Sequence, residues 1–156
     1  MSWREAEQYS PGPNDVCISI YDSNDTPARL SPDFRAVLRL QFDDLRFTDD
    51  EAQDRPLVER RIREEGAIEF SNAMADLAVA FVREHLDADH LVVHCGAGIS
   101  RSVSLAQGLA MAFTREYWAP AWHRYGDALE VKDGEHVHYR LVYDRTLAAA
   151  KRAGVM

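Results

Sequence analysis

The chain has only two cysteines, Cys17 and Cys95. That is too few for a disulfide framework, and a reducing, cytoplasmic setting is the expectation. Basic surface is also scarce. The net charge is -8, which argues against a nucleic-acid partner, because reading a phosphate backbone needs clustered positive charge. No apolar run is long enough to span a bilayer, so no membrane role is expected. The opening stretch MSWREAEQYS is polar and does not read as a signal peptide. Repeats and low-complexity blocks are missing too. What remains is a chain of 156 residues with ordinary globular composition, enough for one domain with a real core.

Residues 1–15 read as a flexible lead-in, since Pro11, Gly12 and Pro13 break any helix. Residues 16–156 read as a single domain. VCISIYD (16–22) is a strand candidate by its β-branched content, and AVLRLQF (36–42) alternates as a second strand. The stretch 22–33 between them is a loop by its turn residues. Residues 43–54 read as an acidic loop, and 55–65 as a helix with Asp54 near its cap and Glu59–Arg63 as an i,i+4 pair. From Glu69 to Leu86, the residues Phe70, Met74, Leu77, Phe81 and Val82 predict one buried helical face. LVVHC (91–95) has the continuous apolar character of a buried parallel strand. Helices are expected over 101–117 and 137–152. Strands alternating with helices predict an α/β fold with a central, mostly parallel sheet flanked by helices.

The chemistry is concentrated in LVVHCGAGISRS (91–102). A strand, a glycine-bearing loop and a helix N-terminus together make an anion site, because backbone N–H groups curl around an oxyanion and the helix dipole adds positive charge. Gly96 and Gly98 permit the tight backbone path, and Ala97, Ile99 and Ser100 complete the loop. Arg101 can grip two phosphate oxygens in a bidentate fork. The same field favours thiolate at Cys95 and makes it a nucleophile. Ser102 is placed to hydrogen-bond the sulfur, and His94 to brace the loop. The bland alternative is an inert core cysteine at a strand end.

The run HCGAGISRS resembles the active-site signature of the cysteine-dependent protein tyrosine phosphatases, especially the compact dual-specificity-like branch. Every fixed position of His-Cys-x-Ala-Gly-x-Ser-Arg-Ser is met. The resemblance implies a protein tyrosine phosphatase-like fold, a phosphate-binding loop of residues 96–101, a phosphocysteine intermediate, and no metal or other cofactor. It implies a phosphorylated peptide or protein as substrate. It also implies an upstream aspartate as general acid, just past a strand. The pattern Leu-x-Phe-x-Asp in LRLQFDDL points to Asp44, with Asp43, Asp49, Asp50 and Asp54 as rivals. Because Asp44 stands further from Cys95 than is usual in the family, residues 46–67 read as an insertion or lid.

Other features take plainer readings. Cys17 is a small core residue. Glu135, His136 and His138 lack the spacing of a metal set. Trp118 and Trp122 flank Pro120 and pack under a loop or line a cleft. The mixed-charge run 55–65 is a solvated helix face, or a lid whose Arg60, Arg61 or Arg63 meets substrate. Two other classes stay open: a module that binds phosphorylated ligands without turnover, and a thiolate arsenate reductase or sulfurtransferase, for which Cys17 is the sole candidate resolving thiol.

Overall fold

The computed structural model describes residues 1–48, 50–113 and 139–156. Among the described residues three parallel strands form one sheet in the order β2-β1-β3: β1 (Val16–Tyr21), β2 (Ala36–Gln41) and β3 (Leu91–His94). Val16 is in register with both Ala36 and Leu91; β1 and β2 end together at Tyr21 and Gln41, and the shorter β3 ends at His94, level with Ser19. The fold is therefore α/β, with a small parallel sheet and helices packed on it. Open parallel sheets bind ligands at the carboxyl ends of their strands, and Cys95 follows directly on β3.

Side-chain alternation along the strands divides the core into two faces. Ile18, Ile20, Leu40, Val93 and Cys95 face one side. There they meet α3 (Asn72–Glu84), α4 (Arg101–Ala112) and α5 (Arg140–Arg152). Cys17 and Val92 face the other side, with Phe34, Tyr9 and Met1. The helix α3 starts later than expected, at a Ser71 cap that accepts from Met74 N–H. Its sheet-facing side is built of Ala75, Ala78, Val79 and Val82, whereas Leu77 is 54% exposed. Small side chains, not the larger apolar ones, let this helix approach. Phe70 precedes the helix and packs on Phe42, with ring centroids 4.8 Å apart.

Three further expectations are corrected. The lead-in is ordered: Ser2 and Glu5 form a reciprocal capping box that starts α1 (Trp3–Gln8). Residues 1–3 lie parallel to the end of β3, where Cys95 N–H donates to Met1 O and Trp3 N–H to Gly96 O. The helix ends at Gln8, before Pro11 and Gly12, and the segment that follows is tied down because buried Asp15 accepts from Gly12 N–H, Tyr9 Oη and His90 Nδ1. The acidic stretch is also shorter than predicted. Helix α2 (Glu51–Glu65) begins at Asp50, whose carboxylate caps Ala52 and Gln53. Asp54 lies inside α2 and accepts from Phe47 and Thr48 N–H instead of capping. Arg63 pairs with Glu64, not with Glu59 as expected, while Arg60 and Arg61 pair with Glu64 and Glu65. All three arginines thus pair with carboxylates of their own helix, and Arg61 also lies over the Phe47 ring.

Helix α4 carries Arg101 at its first turn, so its seating matters to the site. Gly108 in α4 lets α5 approach: an added Cβ would stand 2.8 Å from Thr146 Cβ and 3.3 Å from Tyr143 O. The Gly108→Ala variant is expected to lose about 1–3 kcal/mol, the overpacking cost outweighing the gain in helix propensity. Urea unfolding at neutral pH checks this, and an unchanged midpoint would show that the two helices separate freely. Among the described residues no helix is long and apolar enough to cross a membrane. The expected helices over 101–117 and 137–152 are seen as Arg101–Ala112 and Arg140–Arg152. Trp118, Pro120, Trp122, Glu135, His136 and His138 lie outside the described residues.

Candidate active site

The site begins where β3 runs out. Cys95 is 2% exposed, and its Sγ accepts from Gly98 N–H at 3.3 Å. Ser102 Oγ lies 3.2 Å from the same sulfur. The loop curls back on itself because Gly98 takes φ +78°. No other residue fits there: a Cβ would stand 2.5 Å from the backbone of Met1 and Ser2. Ala97 and Ile99 stand exposed on the rim, and Ser100 is buried.

Arg101 is 5% exposed, and its guanidinium is anchored on one side only. Nη1 donates to Asp22 Oδ1 and to Phe42 O, each at 2.7 Å. Nε is buried with no partner among the described residues, and Nη2 lies over Gly96, 3.3 Å from where a Cβ would be. The edge formed by Nε and Nη2 is the fork that grips two oxygens of a planar or tetrahedral anion. Two more groups suit an anion here. Among the described residues, Ser100 Oγ is buried without a partner and the N-terminus of α4 has no side-chain cap. Buried polar groups are rarely left unsatisfied, and a cluster of orphan donors at a helix N-terminus is chemistry that an oxyanion completes.

His94 braces the loop from the other face of the sheet. Its Nε2 lies 2.8 Å from Ser19 Oγ on the adjacent strand. Burial pushes its pKa down to about 4, so the ring is neutral at physiological pH.

Hydrogen bonding separates the candidate acids. Asp43 is 5% exposed and accepts from Ile68 and Ser23 N–H. Burial acts against its charge, but these bonds outweigh it and hold the carboxyl below the usual range. The same holds for Asp54 under the N–H groups of Thr48 and Phe47. Both are fixed carboxylates that tie loops together, and Asp50 is a helix cap. Asp49 lies outside the described residues. Asp44 is half-buried, and among the described residues its one hydrogen bond is from Arg46 N–H at 3.4 Å. It follows Phe42, whose carbonyl holds Arg101. It also stands near buried Tyr139, whose phenol is pushed up by burial first and then by the charge of Asp44.

Asp22 was not singled out by the sequence, where it reads as one turn residue among several. The available signal was its place just after β1, which becomes informative only once β1 and β3 are known to be neighbours. Cys17 is fully buried, and burial pushes its thiol up to about 12. It packs on the opposite face of the sheet from Cys95. That geometry disfavours Cys17 as a resolving thiol. Comparison with family models, curated proteins and solved structures finds no match.

Proposed function

We propose that this chain hydrolyses phosphate monoesters through a phosphocysteine intermediate, on a protein tyrosine phosphatase-like fold, with phosphotyrosyl peptides or proteins as substrates. The observation that carries the reading is the grouping within one short stretch, residues 95–101, of Cys95 Sγ, the Nε of Arg101, unpartnered among the described residues, and the uncapped start of α4. Phosphate seated on the Arg101 fork and the loop amides presents phosphorus to the sulfur. In the first step an S–P bond forms and the ester P–O bond breaks. Asp44 gives its proton to the leaving oxygen. In the second step water attacks phosphorus, Asp44 takes the water proton, and the S–P bond breaks to return thiolate. The Ser102 hydroxyl stabilises that thiolate as it leaves. Charge on the equatorial oxygens is met throughout by the loop amides and Arg101, which Asp22 keeps aimed.

The test is steady-state hydrolysis of a phosphotyrosyl peptide between pH 5 and 8 with EDTA present. Turnover that survives EDTA supports the reading. Phosphopeptide binding without turnover would instead make the chain a phosphate-reading module.

The acid is tested separately. Asp44→Asn is expected to slow release of an unactivated phenol about 100-fold, the scale of lost general acid catalysis. It should slow release of a nitrophenol far less, because that leaving group departs without a proton. Equal losses on both substrates would remove Asp44 from the mechanism.

A further inference from the structure

Beside the phosphate loop lies a half-open cavity of about 340 Å³ that the proposed chemistry does not use. Its volume is at the low end of ligand pockets. It is continuous with the candidate site: Gly96, the first residue after the nucleophile, lines it, and so does Asp22, the anchor of Arg101. The remaining walls include Trp3 and Glu7 of α1, and Asp25 and Arg29 of the loop after β1. His94 also lines the cavity, and its buried Nδ1 is without a hydrogen-bond partner among the described residues.

The charges around this space are unequal. Asp22 is neutralised by Arg101. Glu7 spends one oxygen on the backbone N–H of Arg29, and Asp25 one on Thr26 N–H. Among the lining residues the exposed guanidinium of Arg29 stands against these two carboxylates, while Arg39, outside the lining, donates to the wall carbonyl of Ala28. A phosphate dianion in the loop would add negative charge beside this wall, because Asp22 already claims part of Arg101. Trp3 is 43% exposed, and its ring already carries a guanidinium, that of Arg4 at 5.4 Å. An aromatic face within reach of carboxylates is a site for a cationic side chain. The net charge of -8 favours basic partners at longer range.

We propose that this cavity receives the residue flanking the phosphorylated one and selects an arginine or lysine there. The inference rests on the phosphatase reading for the identity of the neighbouring group. Substrates of this chain are then phosphopeptides with basic flanks, and acidic flanks are disfavoured by Glu7 and Asp25.

The test uses phosphotyrosyl peptides identical except for Arg, Ala or Glu on either side of the phosphotyrosine. Kd is measured by calorimetry on Cys95→Ser, and kcat/KM on the unmodified chain, with para-nitrophenyl phosphate as a substrate too small to fill the cavity. The arginine peptide is expected to bind about five-fold more tightly than the alanine one, the scale of one partly exposed cation–π contact and ion pair. The glutamate peptide should bind more weakly than either. In the double variant Glu7→Gln, Asp25→Asn, which keeps both hydrogen-bond acceptors, the order should collapse. Equal affinities, or a preference for glutamate through Arg29, would overturn the inference. If para-nitrophenyl phosphate is hydrolysed while the peptides are indistinguishable, the cavity proposal alone fails. If nothing is hydrolysed but the arginine preference persists in binding, the cavity proposal stands and the phosphatase reading fails.

Discussion

Replacing Cys95 by serine is expected to lower turnover of a phosphotyrosyl peptide on the order of 10⁵-fold, while phosphopeptide binding survives. The loss is on the scale seen when a covalent nucleophile is removed from a cooperating set. A serine hydroxyl is a far weaker nucleophile than a thiolate, and nothing at this position would deprotonate it: the neighbouring His94 faces the other side of the sheet, bound to Ser19. Binding should survive because the cradle is intact. The Nε–Nη2 edge of Arg101 and the start of α4 do not depend on sulfur. Arg101→Lys gives the complementary result. A lysine is a point charge that cannot hold Asp22 and Phe42 O with one side and phosphate with the other, so turnover should fall about 10²–10³-fold and binding should weaken. Single-turnover kinetics and calorimetry on both variants separate the roles. Serine turnover near the parent rate would rule out the covalent route, and unimpaired binding in the lysine variant would rule out the fork.

What the sequence made legible follows from range. The nucleophile, loop and arginine fall within one local stretch, so their types and spacing could be read directly. The strands β1 and β3 were legible because parallel strands buried on both faces are continuously apolar. Asp22 was not legible, since its value comes from lying beside Arg101 across a strand pairing that no local pattern encodes. The order in residues 1–3 was hidden for the same reason, because those residues are held by Val93, Cys95 and Gly96, with Val93 standing 92 residues beyond Met1. Among the acids, sequence offered equivalent carboxylates. Only their hydrogen bonds distinguish Asp43 and Asp54, each tied to two backbone N–H groups, from Asp44. The start of α2 was misplaced because Asp54 looks like a cap, whereas Asp50 performs that role.

The second large effect is on stability, and it turns on His94. The ring is 1% exposed, and burial pushes its pKa down to about 4. In the unfolded chain it titrates near 6.5. Between these values the unfolded state holds a proton that the folded state does not, so acid favours unfolding. The stability is fully present above about pH 6.5 and falls by about 1.4 kcal/mol per pH unit toward pH 4, about 3 kcal/mol in all. Asp15, Asp43 and Asp54 have folded values held below their ordinary one, so their contribution is lost only at lower pH. The window between pH 4 and 6.5 therefore isolates the histidine among these groups. Urea unfolding at pH 7 and pH 5 should show the decline in the parent chain and a flatter profile in His94→Gln, whose amide can still reach Ser19 Oγ but cannot take up the proton. A flat parent profile would mean that His94 is hydrated in the folded state. Because His94 precedes Cys95 directly, its protonation would strain the base of the loop before the whole domain unfolds. Acid should then weaken phosphopeptide binding to Cys95→Ser reversibly, and His94→Gln should extend binding to lower pH.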